Sequence, residues 1–111
     1  MSSQQVTIID QKREVVAMAQ VTEQNSTFTG RIDLSPMSAQ LRHQFEAYEE
    51  IVNKQMFSLL DEIEEKIETM LLKVVFADGH VAHLADLQIY PGTKKVSFKV
   101  VKEAMRYPSS A

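Results

Sequence analysis

Between Met37 and Met70 no glycine or proline interrupts the chain, and one apolar stripe runs the whole way. It comprises Met37, Leu41, Phe45, Tyr48, Val52, Met56, Leu59, Ile63, Ile67 and Met70. The steps are four, four and three, repeated, and this eleven-residue period lies close to three turns of a natural helix. Leu34-Ser35-Pro36 supplies a start signal, with serine as N-cap and proline at the first helical position, where its missing N–H costs nothing. The pattern predicts one helix over residues 36–70, about 50 Å long if unbroken. Such a helix must lie on an apolar sheet face. Whatever the sheet leaves uncovered must bend near Asn53 or bury against a second chain.

The sheet is predicted from side-chain alternation, since neighbours in a strand face opposite ways. If Val15–Val21 turns at Gln24-Asn25 and returns through Phe28–Leu34, Val21 faces Phe28, Ala19 faces Gly30 and Ala17 faces Ile32. One face is then apolar and the other mostly polar, and Val6 and Ile8 can extend the apolar one. Ala17, Ala19 and Gly30 would form a low patch on which the helix backbone could rest. After the helix, Asp78-Gly79 suits a two-residue hairpin turn that sets Phe76 opposite Val81 and Val74 opposite His83. A reversal at Tyr90-Pro91-Gly92-Thr93 sets Ile89 opposite Val96, Gln88 beside Ser97 and Asp86 beside Lys99. The fold class expected is α+β: an antiparallel sheet of about six strands, in β-β-β-α-β-β-β meanders, with one long helix packed on one face. Residues 6–104 form the expected single domain, with flexible ends at 1–5 and 105–111.

The stretch DGHVAHLADLQIYP, residues 78–91, concentrates two histidines and two aspartates. His80 and His83 are three apart, and on a strand they point to opposite faces, so they do not share a metal ion. The stretch reads as a hairpin, with His83 at the edge of the core face. His43 and Glu46, three apart on the helix, would need ligands from further helices to hold a metal. No metal or cofactor is expected. The chain has no cysteine, which removes thiolate metal sites and thiol nucleophiles. It also offers no serine nucleophile motif, and its three glycines do not build a phosphate-cradling loop.

Charge is uneven. Residues 36–70 carry a net charge of −5, and residues 71–111 one of +3. Glu46, Glu50, Asp61, Glu64 and Glu68 follow helical spacing along one flank, with Phe57 among them. This reads first as a solvated acidic face and second as a docking ridge for a basic partner, with Phe57 as its anchor. Lys94, Lys95, Lys99 and Lys102 read as strand-edge lysines, not as a nucleic-acid footprint. With no secretory leader and no apolar run of spanning length, a cytoplasmic protein with no membrane or nucleic-acid partner is expected.

Apolar residues left over from the core point to protein contacts. Val75, Leu84 and Val101 are the expected sheet contact, and Phe57, Ile63 and Ile67 the expected helix contact. The function expected is therefore a small non-catalytic interaction module, such as an adaptor, small chaperone or regulatory subunit, acting as a homodimer. The rival is a ligand- or metal-binding protein, or a small enzyme, with a pocket between helix and sheet near His83.

Overall fold

The computed structural model describes residues 3–101. Six strands, β1 (Gln4–Ile9), β2 (Val15–Gln24), β3 (Thr27–Asp33), β4 (Lys73–Val75), β5 (Val81–Tyr90) and β6 (Lys95–Val101), close into an antiparallel barrel in the order β1-β2-β3-β6-β5-β4. This corrects the expected fold, which was an open sheet under one long helix. Two pairings close the ring: β1 with β4, through Thr7 and Val75, and β3 with β6, through Phe28 and Phe98. Closure covers the open sheet's two edges except where β4 stops short of β5, beyond His83 among the described residues. The expected C-terminal segment 105–111 lies outside the described residues.

The long helix is two helices, α1 (Ala39–Asn53) and α2 (Leu60–Thr69), with a 3₁₀ turn at Phe57–Leu59. Ser35 does not cap. Its N–H and hydroxyl both donate to Oδ1 of Asp33, at 3.0 and 2.7 Å. Ser38 caps instead, its Oγ accepting from the Leu41 N–H at 3.1 Å. α1 ends in a Schellman motif, with Met56 N–H on the Ile51 carbonyl at 3.0 Å and Gln55 N–H on that of Val52 at 3.1 Å. Gln55 takes the left-handed conformation at φ 57°. The break lets α2 fold back beside α1, so Ile63 and Ile67 join the same core as Phe45 and Tyr48. It also moves Asp61 and Glu62 to the first turn of α2, where the helix dipole favours negative charge.

Strand directions alternate around the ring. The end of β3, the start of β4, the β1–β2 loop and the β5–β6 turn therefore share one end of the barrel, and the helices are inserted there. Two polar contacts fasten them. Gln11 Nε2 donates to the Met70 carbonyl at 3.5 Å, and Gly92 N–H donates to Glu49 Oε1 at 2.9 Å.

Inside the barrel, Ile8, Ala17, Val21, Val74, Ile89 and Phe98 have no exposed surface. Phe98 stacks on Phe28 with ring centroids 5.2 Å apart. Ala17 and Ala19 are buried here and not under a helix, since small residues fit a narrow barrel interior. Gly30 faces β2, and a Cβ at this position would lie 1.8 Å from the Gln20 carbonyl oxygen.

The hairpins decide which side chains face in. β2 and β3 are joined by the two-residue turn Asn25-Ser26, with φ values of 54° and 68°, a type I′ geometry. The register is Val21 with Gly30 and Ala19 with Ile32, two residues from the expected one, so the faces from Ala17 onward are kept. A register shift against β1 at Ile8/Ile9 turns Val15 outward and Val16 inward. Residues 76–80 join β4 and β5, and the Phe76 N–H on the His80 carbonyl at 2.8 Å closes a three-residue loop over 77–79, with Gly79 at φ 92°. Val75 therefore pairs with Val81 and Val74 with Ala82. That is one residue from the expected register, so Ala82 and Leu84 turn inward and Val81 and His83 outward. Farther along, Ile89 pairs with Val96 and Gln88 with Ser97, as alternation predicts. A bulge at Asp86-Leu87, with Asp86 at φ 50°, reconciles the two halves of β5.

Candidate functional site

The bulge and the helix break together shape a cleft of about 250 Å³ between α2 and β5. Glu64, Ile67 and Glu68 form its helical wall, and Leu71 and Leu72 follow in the chain that leaves α2. The opposite wall is β5 from His83 to Gln88, and Tyr48 of α1 lies between them. Leu71 is 53% exposed and held at φ 51°. Asp86 and Leu71 are thus two non-glycine residues in left-handed conformations on one cleft, and such residues cluster at functional sites.

The lining is apolar with an acidic surround. Ile67, Leu72, Leu84 and Leu87 supply carbon surface, while Glu64, Glu68 and Asp86 supply carboxylates. Among the described residues no lysine or arginine pairs with Glu64 or Glu68. Lys99 reaches Asp86 from β6 at 4.0 Å, both side chains being well exposed, which makes a weak pair. Burial, followed by the charges of Asp61, Glu68 and Asp86, raises the Glu64 carboxyl above its ordinary value. Burial is also the largest influence on Tyr48, whose hydroxyl is pushed up further by Tyr90, Glu64 and Asp86. The Tyr48 and Tyr90 rings lie 6.0 Å apart, and the Tyr90 hydroxyl donates to Gln88 Oε1 at 2.8 Å. Such a cleft is suited to a cation on an apolar stem.

The six residues singled out for contacts separate into three places. Val75 and Val101 lie on the outer barrel wall. Val75 is paired with Val81, and Val101 with His83, so Val81 lies beside Val75 and diagonal to Val101 on that wall. Leu84 turns inward, half-buried against the core, and lines the cleft. Ile63 and Ile67 are 7% and 6% exposed, covered by their own chain, with Ile67 at the cleft floor. Phe57 stands apart on the 3₁₀ turn, 57% exposed. The acidic flank is divided by the helix break. Glu46 and Glu50 stay on α1, where Glu50 meets Lys54 at 2.9 Å, and Glu64 and Glu68 face the cleft.

His83 is exposed at the cleft, and His43 meets Glu46 at 3.2 Å on α1. Among the described residues no three histidine, aspartate or glutamate side chains come together as a metal site would require. Lys102 lies outside the described residues. Leu87 and Gln88 were not singled out as site residues, and the bulge that turns them toward the cleft carries no glycine to announce it.

Among the described residues no helix is long and apolar enough to cross a membrane. No protein-family model matches the chain, and neither a curated protein nor a solved structure does.

Proposed function

We propose that the chain is a small non-catalytic interaction module that holds a segment of another protein in the cleft between α2 and β5. One observation carries the reading: Ile67, Leu71, Leu72, Leu84 and Leu87 line a single cleft together with the carboxylates of Glu64, Glu68 and Asp86. Apolar contact gives affinity, and the carboxylates select the partner. The test is selection of peptides from a random displayed library, followed by binding to Glu68→Lys and Ala85→Trp variants. Enriched peptides that lose binding to both variants support the reading. Peptides indifferent to both would place the contact elsewhere on the molecule and end it.

Self-association is a second reading, favoured by the outer wall. Val81 and Val101 are both 46% exposed, with Val75 beside Val81, and neighbouring apolar residues on a strand surface suit a second copy of the same surface. A twofold native mass that falls to the monomer in Val81→Lys supports it. A monomer at tens of micromolar chain removes it.

A further inference from the structure

Among the described residues, β5 beyond His83 has a strand neighbour on one side only. β4 pairs with it from Val75 and Val81 to Lys73 and His83, then stops. One more backbone bond follows, from Leu84 N–H to the Leu72 carbonyl, and at 3.5 Å it is long. Among the described residues the ladder of β5 from Ala85 onward is with β6 alone. The other edge of that segment borders the cleft, where residues 85–88 form the wall. A strand edge without a neighbour is a template for a further extended chain.

Length and charge choose the occupant. The open edge from Ala85 to Gln88 spans roughly 10 Å at strand rise, the reach of about three to four extended residues. That is more than a small amine needs. Among the described residues Glu64, Glu68 and Asp86 line the cleft and neither lysine nor arginine does, so an acidic segment is repelled and a basic one drawn in. The raised Glu64 carboxyl marks a negative charge poorly solvated in the free protein, which a bound cation would relieve.

We infer that the cleft takes an extended, lysine- or arginine-bearing segment of a partner protein, added as a strand to the open edge of β5 with its basic side chains among Glu64, Glu68 and Asp86. The inference rests on reading the cleft as a protein-binding site. Alternate side chains of the segment face the leucines, and the ones between face the carboxylates, since a strand presents its two faces in turn.

The test is titration of ¹⁵N-labelled protein with capped Val-Lys-Val-Lys-Val, its glutamate counterpart, and two versions of the lysine peptide N-methylated on alternate backbone nitrogens. The lysine peptide shifts the amides of residues 85–88 and binds about tenfold more tightly than the glutamate peptide. One methylated version, the one that loses donors to the β5 edge, weakens about tenfold and the other much less. The double variant Glu64→Gln, Glu68→Gln, which keeps side-chain shape, reduces the preference for lysine. Equal binding of the glutamate peptide, indifference to both methylations, or unmoved amides at 85–88 would each overturn the inference. If library-selected peptides still occupy the cleft, only the basic-strand inference falls. If nothing occupies it, the broader reading falls too.

Discussion

Glu49 on α1 accepts a hydrogen bond from the backbone N–H of Gly92 at 2.9 Å, joining the helical insertion to the β5–β6 turn across 43 residues of sequence. A Cβ on Gly92 would lie 3.1 Å from both carboxylate oxygens, so the turn presses against the acid that holds it. Glu49→Ala should cost about 1 kcal/mol, less than the roughly 1.5–3 kcal/mol of a hydrogen bond to a charged group because this one is exposed to water. Urea unfolding measures it. Amide exchange of Gly92 should quicken in the same variant, and an unchanged rate would mean the bond does not hold the turn in solution.

Gln55 is the hinge between the helices, in a left-handed conformation where glycine is favoured. Gln55→Gly should stabilise the protein by a few tenths to about 1 kcal/mol, the relief of backbone strain being partly offset by the freer unfolded chain. Gln55→Val should destabilise it, because a β-branched residue tolerates that conformation worst. Denaturant midpoints for the two variants should fall on opposite sides of the parent. A parent more stable than the glycine variant would mean the hinge is not left-handed.

Errors in reading the sequence follow the period of each element. The β2–β3 register was displaced by two residues, an even number, so Val21, Phe28 and Ile32 were still assigned to the core and are buried there. The β4–β5 register was displaced by one, an odd number, which exchanged Leu84 for Val81 on the outer wall. Asp78-Gly79 is compatible with both a two-residue and a three-residue loop, and nothing local separates them. Barrel closure depends on Thr7 meeting Val75 and Phe28 meeting Phe98, pairings that no turn announces. The stripe from Met37 to Met70 stays in phase across the break at residues 54–56, so periodicity alone continues through it. For the same reason Glu64 and Glu68 are visible as an acidic flank, while the Asp86 bulge is not. The one-residue register error also places His83 on the core face, when it is exposed.

The inward turn of Leu84 can be checked against the outward turn of Val81. Leu84→Asp places a charge against the core cluster and should cost about 2–4 kcal/mol. Val81→Asp, at a position 46% exposed, should stay within about 0.5–1 kcal/mol. Thermal or urea unfolding of the two variants decides the register. The reverse order of costs would restore the two-residue turn and place Leu84 outside.

Glu64 offers a test by pH. Its carboxyl is raised by burial first and by Asp61, Glu68 and Asp86 after it, so the folded protein holds this proton more tightly than the unfolded chain does. Stability therefore falls as pH rises from the ordinary glutamate value through the raised folded value, and this loss is fully present at neutral pH. Asp33 has the opposite sign. The hydroxyl and backbone N–H of Ser35 lower its carboxyl, so its contribution is present above the ordinary aspartate value and lost as pH falls through the lowered one. Glu64→Gln should thus stabilise the protein at pH 7, and the gain should shrink toward zero below pH 4, where the parent's Glu64 is also neutral. Chemical unfolding of parent and variant across this range gives the difference directly. A gain independent of pH would assign the effect to packing and not to charge. A loss at pH 7 would mean the carboxylate has a cationic partner in the free protein, and the cleft would then not be an unfilled acidic site.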